Sequence, residues 1–291
     1  MIKVHQLFYS YDDQNMPVLK NIHMEIHEGE HVALIGPNGC GKTTLIKHLN
    51  ALFSPAGGAV VVDGMDTRDH KNLKEIRCRV GMVFQNPDNQ IVGMTVEEDV
   101  AFGPANLGLP PAEIRQRVDK SLVVVGMEAF AKRAPHTLSG GEKRLVSIAG
   151  VLAMAPRYIA FDEPTAYLDP SSRERVLNMI HKLHREGIAI IHITHDMNDL
   201  AGANRLLVMD QGSIVLDGTP QDIFSRIEAM KDLGLQVPQV TLLMRRLREK
   251  GWDLNTNILT IDEACTEISS RIGPVKEIFT DSDSAAVDEH G

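Results

Sequence analysis

A glycine-rich segment is the part of this sequence whose residue types most directly indicate chemistry. It reads Gly-Pro-Asn-Gly-Cys-Gly-Lys-Thr-Thr over residues 36–44 and fits the pattern G-x-x-x-x-G-K-[ST]. Its glycines permit a tight turn whose N–H groups point inward and surround phosphates. Lys42 can reach the outer phosphates, and the Thr43 hydroxyl is a ligand for Mg²⁺. The segment therefore predicts binding of a nucleoside triphosphate.

The elements on either side of this segment support that prediction. An apolar strand, residues 31–35, precedes it, and a helical stretch opens at Thr43. The partial positive charge of a helix N-terminus favours a bound phosphate. The residues expected to contact the nucleotide here are Gly36, Asn38, Gly39, Cys40, Gly41, Lys42, Thr43 and Thr44. Because Cys40 is next to N–H groups and Lys42, its thiolate is expected to be favoured.

Two adjacent carboxylates follow a second apolar strand. Residues 158–161 are Tyr-Ile-Ala-Phe, and Asp162 and Glu163 come directly after them. An acid at the end of a strand beside a phosphate loop is placed to hold Mg²⁺, and the next acid is placed to deprotonate an attacking water. We therefore assign the metal to Thr43 and Asp162, and the water to Glu163.

A second glycine pair opens a long helix, expected over residues 143–154. Ser139 and Glu142 have the spacing of a capping box, which a purely structural helix start explains. Two glycines in a first turn each cost up to ~1 kcal/mol relative to alanine, and a structural start does not explain them. Ser139, Gly140 and Gly141 therefore predict a second anion-binding site.

Composition restricts the class of protein. The chain has 291 residues, 43% of them hydrophobic, and a net charge of −9, which disfavours a nucleic-acid partner. No apolar run approaches the ~18 residues of a membrane span, and the start lacks the apolar core of a signal peptide, so a cytoplasmic protein is expected. Cys40, Cys78 and Cys265 are far apart, which supports neither a disulfide framework nor a zinc site.

Hydrophobic patterning predicts an α/β fold. Apolar runs separated by helical stretches indicate a mostly parallel sheet, with strands at 80–84, 158–161, 189–193 and 205–209. Alternating segments indicate an antiparallel layer, with strands at 2–9, 22–27 and 59–63 and a turn at 12–15. The expected domains are a nucleotide-binding domain (1–220) with an inserted helical subdomain (about 90–150), a helical extension (221–279) and a disordered tail (280–291).

The order of the motifs resembles that of ATP-binding-cassette (ABC) ATPases over residues 2 to about 220. The matching motifs are the phosphate loop, Gln85 after a strand, Leu138–Glu142, Asp162-Glu163, Ala166–Asp169 and Ile193–Asp196. The resemblance implies a RecA-like phosphate-loop core that hydrolyses ATP with Mg²⁺. It also implies that two such chains pair head to tail, so that Ser139–Gly141 of one chain cover the ATP of the other.

The resemblance further implies roles for single residues. Tyr11 is similar to the aromatic residue that stacks on adenine, and Gln85 to the residue that senses the metal and the water. His195 is similar to the switch histidine on the γ-phosphate, and Asp169 to an acid that acts across the dimer. Tyr167 departs from the family pattern, which has a small residue there.

A finer resemblance is to the energy-coupling-factor importers and their cobalt/nickel relatives. It rests on residues 84–90, 95–103 and 234–240. It implies uptake of a vitamin or a transition-metal ion, a membrane coupling subunit, a substrate-binding membrane subunit, and a second ATPase chain, identical or a sister. The chain would be peripheral on the cytoplasmic face of the membrane. Glu97, Glu98 and Asp99 are then expected to receive arginines of the membrane partner.

Three other kinds of phosphate-loop protein are alternatives to an importer. An ABC protein of DNA repair carries long coiled coils between the phosphate loop and the Leu-Ser-Gly-Gly motif, whereas only 98 residues separate Gly41 from Ser139. An ABC protein of translation carries two cassettes per chain, and this chain has one. A small-molecule kinase of the phosphate-loop group would not need Leu138–Glu142.

Two further patterns yield weaker predictions. His181 and His184 are expected on an exposed helix and His192 inside a strand, so a shared metal site is not expected. In the extension, Leu242, Leu243, Leu247 and Trp252 predict an apolar face. That face either helps to hold two ATPase chains together or packs on its own cassette.

Overall fold

The computed structural model describes residues 1–11, 16–200 and 202–272, which form two units that divide between Gln236 and Val237. The strands of the first unit are β1 (Ile2–Tyr9), β2 (Leu19–Ile26), β3 (His31–Ile35), β4 (Gly57–Val62), β5 (Met65–Asp66), β6 (Val80–Val83), β7 (Tyr158–Asp162), β8 (Ala189–Ile193), β9 (Arg205–Asp210) and β10 (Ser213–Gly218). Its α-helices are α1 (Lys42–Leu49), α2 (Leu73–Arg79), α3 (Val96–Asn106), α4 (Pro111–Val125), α5 (Gly140–Leu152), α6 (Pro170–Arg185), α7 (Pro220–Ser225) and α8 (Ile227–Asp232).

The central sheet places the ends of three strands side by side. Its order is β10-β9-β3-β8-β7-β6, all parallel except β10, and the predicted mostly parallel sheet is confirmed. Ile193 of β8 is in register with Leu34 of β3 on one side and with Asp162 of β7 on the other. Chain segments that leave β3, β7 and β8 therefore emerge at the same edge of the sheet.

A second sheet, β2-β1-β4-β5, is antiparallel, as the alternation predicts. Ile2 of β1 faces Ile26 of β2 and Val62 of β4, so the inward residues of all three strands form one apolar layer. β2 begins at Leu19, three residues before the predicted start. The predicted turn at 12–15 lies outside the described residues.

The two faces of the central sheet bury two different cores. Along β7, Tyr158 and Ala160 contribute to the core shared with the antiparallel sheet, while Ile159 and Phe161 contribute to the core beneath the helices. This alternation follows from the two-residue period of a strand. Each fully buried Ile or Phe contributes roughly 1.5–3 kcal/mol relative to exposure, so both layers are strongly held.

The inserted helical region consists of α3, α4 and α5. The Thr95 side chain caps α3, and Gly126, at φ +70°, ends α4. α5 begins at Gly140, three residues before the predicted start, because the Ser139 side chain accepts a hydrogen bond from the Glu142 N–H and caps the helix there. Val100, Leu122 and other apolar side chains of these helices contribute to the second core.

The boundary between the two units, after Gln236, lies later in the sequence than residue 221, where the extension is expected to begin. α7 belongs to the first unit because Ile223 and Phe224 are buried and the helix contacts β9 and β10. The second unit contains α9 (Gln239–Glu249) and α10 (Ile261–Ile272) around a small core of Met244, Leu254, Ile258 and Ala264. In the expected apolar face, Leu247 packs on this core, whereas Leu243 and Trp252 are exposed.

The expected tail, residues 280–291, lies outside the described part of the chain. None of the helices within the described residues is both long enough and apolar enough to span a bilayer.

Candidate functional site

The phosphate loop runs from the end of β3 to the start of α1 in a conformation that two glycines make possible. A Cβ atom on Gly36, which has φ +155°, would lie 2.2 Å from the Met209 carbonyl oxygen. A Cβ on Gly41, at φ +108°, would lie 2.9 Å from the Leu19 side chain. Both the positive φ and the close neighbours exclude a larger residue at either position.

The loop curves around the Lys42 ammonium group. The Nζ atom donates hydrogen bonds to the carbonyl oxygens of Gly36, at 2.7 Å, and Pro37, at 3.0 Å. Gly41 is the N-cap of α1 and supplies no capping side chain, and the first turn of α1 holds no acidic residue. The N–H groups of this turn are therefore available to an anion, as the sequence predicts.

Thr43 and Asp162 meet at the predicted metal site. The Thr43 hydroxyl donates to Asp162 Oδ1 over 3.0 Å. Burial raises the pKa of Asp162, and the nearby charge of Glu163 raises it further. One hydroxyl and one carboxylate beside a phosphate loop suit Mg²⁺, which prefers oxygen ligands and takes the rest from nucleotide and water. The residues present thus fit the metal that the family resemblance implies.

Glu163 is in direct contact with both other predicted catalytic residues. Its Oε2 accepts a hydrogen bond from Gln85 Nε2 at 2.7 Å, and its Oε1 is 2.7 Å from His195 Nε2. The Glu163 N–H donates to the Ile193 carbonyl oxygen at 3.0 Å, which ties the end of β7 to the end of β8. The carboxylate, amide and imidazole predicted from distant motifs thus form one cluster.

Glu163 and His195 of this cluster line one cavity of about 360 Å³ together with the phosphate loop, whereas Gln85 is not among its lining residues. Its walls are Tyr11, Val18, Asn38, Gly39, Gly41, Lys42, Thr43, Thr44, Glu163 and His195. Tyr11 lies at the rim, where its hydroxyl is 3.0 Å from Thr44 Oγ1 and its ring meets Tyr9 edge to face. Nine of the residues predicted to serve nucleotide chemistry therefore surround the same space.

Cys40 differs from its prediction. The side chain is 5% exposed, belongs to the core beside Leu45, and has its Sγ 3.9 Å from Lys42 Nζ. Burial raises the pKa of the Cys40 thiol, and this exceeds the opposite effect of Lys42. The expectation of a favoured thiolate is wrong because the sulfur points away from the solvated side of the loop, a direction that residue spacing does not reveal.

The second predicted anion site lies away from this cavity within one chain. Ser139 and Gly140 are exposed at the start of α5, where Ser139 and Glu142 form the reciprocal capping box. A Cβ on Gly141 would lie 2.4 Å from Ser172 Oγ, so close packing on α6 explains this glycine. Gly140 would meet nothing nearer than 3.7 Å. Close packing therefore explains why residue 141 is a glycine but gives no reason for a glycine at position 140.

Arg144 is a functional candidate that the sequence analysis missed. It is 1% exposed, and its guanidinium donates short hydrogen bonds to the carbonyl oxygens of Phe84 and Gln85. Burial lowers the pKa of Arg144 to about 10. The start of α5 is thereby tied to the backbone that presents Gln85. The contact could not be predicted from the sequence, because Arg144 and the carbonyl groups of Phe84 and Gln85 lie about 60 residues apart and no motif links them.

The histidine prediction is also corrected. His181 and His184 are not on an exposed face: their rings lie 6.3 and 5.3 Å from the ring of His31, and His192 lies 6.1 Å from it on another side. His31 and His192 are fully buried, and burial lowers the pKa of each to about 3. No group of three or more potential ligands in the described part of the chain is arranged to hold a metal.

The three acids at the start of α3 are already engaged within the chain. Glu97 pairs with Arg115 at 3.0 Å and with Lys132, and Glu98 completes the capping box of Thr95. Asp99 is buried and accepts hydrogen bonds from the N–H groups of residues 92 and 93 at 2.7 and 2.9 Å. Glu97 and Asp99 are thus committed to contacts within the chain, whereas Glu98 is exposed, and the acidic docking surface stays a prediction.

The same region forms a wide groove of about 730 Å³, which we call the subdomain groove. Its apolar lining residues include Leu52, Leu73, Met82, Val92, Phe102 and Met154. Leu52, Val92 and Phe102 are exposed although apolar. The exposed polar and basic residues His70, Lys74 and Arg77 line the same groove.

A phosphate loop that follows a parallel strand, with Thr43 and Asp162 at the metal site and Glu163 over the loop, defines a nucleoside triphosphatase of the phosphate-loop class. Residues 19–166 match the family profile described as ABC transporter. The chain belongs to the ABC transporter family, and it is an ATPase whose hydrolysis of ATP is coupled to transport.

Curated relatives match over nearly the whole chain. The "Cobalt import ATP-binding protein CbiO" of Syntrophus aciditrophicus is 55% identical over 279 residues, 96% of this chain and all of that protein. The "Energy-coupling factor transporter ATP-binding protein EcfA1" of Clostridium perfringens is 52% identical over 268 residues, 90% of this chain and 95% of that protein.

Solved structures share the fold. CbiO1 from Clostridium perfringens, described as part of the ABC transporter complex CbiONQ, has a TM-score of 0.72 and 38% identity, over 84% of this chain and 98% of that one. The dimeric cassette MJ0796 in a post-hydrolysis state with ADP and Pi has a TM-score of 0.68 and 30% identity, over 75% of this chain and 98% of that one.

Proposed function

We propose that this chain is the ATP-hydrolysing subunit of an energy-coupling-factor-type importer that takes up a vitamin or a transition-metal ion such as cobalt or nickel. The 55% identical relative is named for cobalt import, which supports a transition-metal ion, and the 52% identical relative is named for an energy-coupling factor transporter without a stated substrate. The observation that carries the catalytic part is the cluster in which Glu163 is 2.7 Å from both Gln85 and His195.

In the proposed reaction, the loop N–H groups and Lys42 bind the triphosphate, and Tyr11 stacks on the adenine. Thr43, Asp162 and Gln85 would hold Mg²⁺, which neutralises charge on the phosphates when bound. Glu163 accepts a proton from the water that attacks the γ-phosphorus, and ADP leaves with the bridging oxygen. His195 orients the γ-phosphate. In the observed arrangement each Glu163 carboxylate oxygen has one neighbour, Gln85 or His195, which leaves acceptor positions on the carboxylate for the attacking water.

Hydrolysis is proposed to require a second chain, either a copy or a sister ATPase. Ser139 and Gly140 are exposed and lie outside the nucleotide cavity of their own chain, so they are free to cover the nucleotide of a partner, while Gly141 is buried against α6. The MJ0796 cassette was solved as a dimer with ADP and Pi, which supports this arrangement. Asp169 would act across that dimer.

The subdomain groove is proposed to receive an integral-membrane coupling subunit, which works with a substrate-binding membrane subunit. The chain would then be peripheral on the cytoplasmic face of the membrane. The exposed apolar side chains of the groove support this assignment, and of the acids at 97–99 only Glu98 is exposed.

Reconstitution tests the proposal. The chain would be co-purified with the membrane proteins encoded beside its gene, placed in proteoliposomes with ATP, and assayed for uptake of ⁵⁷Co²⁺, ⁶³Ni²⁺ and labelled vitamins. ATP-dependent uptake of one substrate is expected. ATPase activity that responds to DNA or ribosomes and not to the membrane proteins would overturn the importer assignment in favour of a repair or translation role.

A further inference from the structure

A buried carboxylate joins the two loops that carry Glu163 and His195. Asp199 follows β8 by six residues, and its side chain is 0% exposed. Its Oδ2 accepts hydrogen bonds from the Thr165 hydroxyl at 2.7 Å and from the Thr194 hydroxyl at 3.0 Å. Thr165 is two residues beyond Glu163, and Thr194 directly precedes His195. One oxygen atom thus connects the segments after β7 and β8.

The other oxygen of Asp199 is held by an arginine of α6. Arg173 Nε and Nη2 lie 3.0 and 2.5 Å from Oδ1, and Nη2 is also 2.5 Å from Asp196. Arg173 is in the first turns of α6, whose N-cap is Asp169, the acid at the end of the segment 166–169. Asp199 therefore links three segments: the one after Glu163, the one with His195, and the start of α6.

The bonds of Asp199 are short, directional and largely screened from water. Removing one partner of a buried ion pair leaves an uncompensated buried charge, which is strongly destabilising. The hydrogen bonds of Asp199 therefore hold its partners in one arrangement. The two hydrogen bonds to Asp199, which we call tethers, hold the Thr165 and Thr194 hydroxyls 2.7 and 3.0 Å from one oxygen atom and so fix their separation. Because Thr165 is two residues from Glu163 and Thr194 is next to His195, the tethers also fix Glu163 relative to His195. Misplacing reacting groups by about 1 Å lowers rates by up to about 100-fold.

We propose that Asp199 is a positioning residue for ATP hydrolysis: together with Arg173 it sets the spacing of Glu163 and His195 and connects that spacing to the segment 166–169. This inference rests on the catalytic roles proposed above. A partner that contacts residues 166–169 would then change the position of Glu163, and so of the attacking water, through Arg173 and Asp199. No residue of that contact needs to touch the nucleotide.

Steady-state kinetics of the full-length protein test it. Asp199→Asn is expected to lower kcat about 10-fold or more while KM for MgATP stays within about twofold, because the phosphate loop is untouched. Thr165→Val, which removes one tether, should lower kcat in the same way, and Thr165→Ser, which keeps the hydroxyl, should restore it. Asp217→Asn is the matched control: it removes a carboxylate partner of another arginine, Arg205, 2.6 Å away, without touching the segments that carry Glu163 and His195, and should change kcat less than about twofold.

Three results would overturn the inference. The first is that Asp199→Asn and Thr165→Val both keep kcat within twofold. The second is that Asp217→Asn loses as much kcat as Asp199→Asn, and the third is that kcat and nucleotide affinity fall together, since both of these indicate only a structural role. If Asp199→Asn does not fold by thermal melting, the Thr165→Val and Thr165→Ser pair decides. Glu163→Gln is run alongside: a normal rate there refutes the proposed catalytic roles, whereas its loss with a normal Asp199→Asn refutes this inference alone.

Discussion

At the scale of single residues, Glu163 combines an unusual backbone with a central position. Its φ is +48°, a left-handed conformation that costs a non-glycine residue roughly 1–2 kcal/mol. The hydrogen bond from its N–H to the Ile193 carbonyl and the contacts of its carboxylate with Gln85 and His195 hold it there. Strain of this kind is concentrated at functional positions.

Replacing Glu163 by glutamine should stop turnover but not nucleotide binding. Glu163→Gln keeps the shape and the hydrogen bonds of the side chain but cannot accept a proton, so kcat should fall by ~10²-fold or more. A fluorescent ATP analogue should still bind, and an ATP-bound dimer should accumulate in size-exclusion chromatography. Glu113→Gln, at a half-buried position on α4 away from the nucleotide cavity, is the control. Hydrolysis at a near wild-type rate would remove Glu163 from the role of base.

Burial should make Cys40 slow to react. Because its thiol pKa is raised and its side chain is 5% exposed, a Cys78→Ser/Cys265→Ser variant should react with maleimide at least ~10-fold more slowly than a Cys40→Ser/Cys78→Ser variant, which keeps the exposed Cys265. Both should react equally in urea. Fast labelling of native Cys40 that Mg-ATP prevents would instead restore the thiolate interpretation.

At the scale of elements, the acidic side chains at the start of α3 are used to form the helix end itself. Acids in a first turn stabilise a helix by about 0.3–1 kcal/mol each through its dipole. Here Glu98 also closes the capping box, and Asp99 folds the preceding segment onto the helix by accepting from two N–H groups. The exposed lining of the subdomain groove beside it includes the apolar Leu52, Val92 and Phe102 and the basic Lys74 and Arg77.

A charge placed in the subdomain groove should disrupt coupling selectively. Val92→Glu introduces a carboxylate into the groove, so membrane-partner binding and substrate uptake should fall about 10-fold or more, while the ATPase rate of the isolated chain stays within twofold. Val123→Glu is the matched control, since Val123 is 62% exposed against 61% for Val92 but does not line the groove. Equal effects of the two variants on uptake would place the docking surface elsewhere.

At the scale of the whole molecule, the histidine cluster makes the core sensitive to acid. His31 begins β3, which leads to the phosphate loop, and His192 lies in β8, which leads to His195. None of their four ring nitrogens has a hydrogen-bond partner of normal geometry within the described residues. A proton on either ring would put an unpaired charge between the strands that position the active site.

Stability should therefore fall as the pH drops below about 6.5. The pKa of each histidine is about 3 when folded, against 6.5 when exposed, so between these values the unfolded chain binds more protons and stability decreases with decreasing pH. Each group should cost about 2 kcal/mol at pH 5 relative to pH 7. Urea unfolding at both pH values measures this loss.

A variant comparison isolates the buried histidines from other titrating groups. His192→Met removes one buried imidazole and should reduce the loss between pH 7 and pH 5 by about 2 kcal/mol. His23→Met, on the exposed side of β2, should leave it unchanged. The same loss in wild type and His192→Met would show that His192 does not contribute.

The amino-acid sequence by itself determined the site chemistry and the class of fold. The phosphate loop, the Asp162-Glu163 pair, Gln85 and His195 are local motifs, and the parallel sheet follows from short apolar runs separated by helices. Local chemistry suffices for these because each motif lies at a strand end, and the register of β3, β7 and β8 brings strand ends to one edge.

Only the tertiary structure decided which polar groups are free to act. Cys40 and Glu97–Asp99 looked available in sequence, but one is turned into the core and the others are bound by neighbours. His31 joined three histidines from β8 and α6, and Asp199 joined hydroxyls 34 and 5 residues away. Burial and side-chain direction depend on which distant segments pack together, and residue spacing along the chain carries no information about that packing.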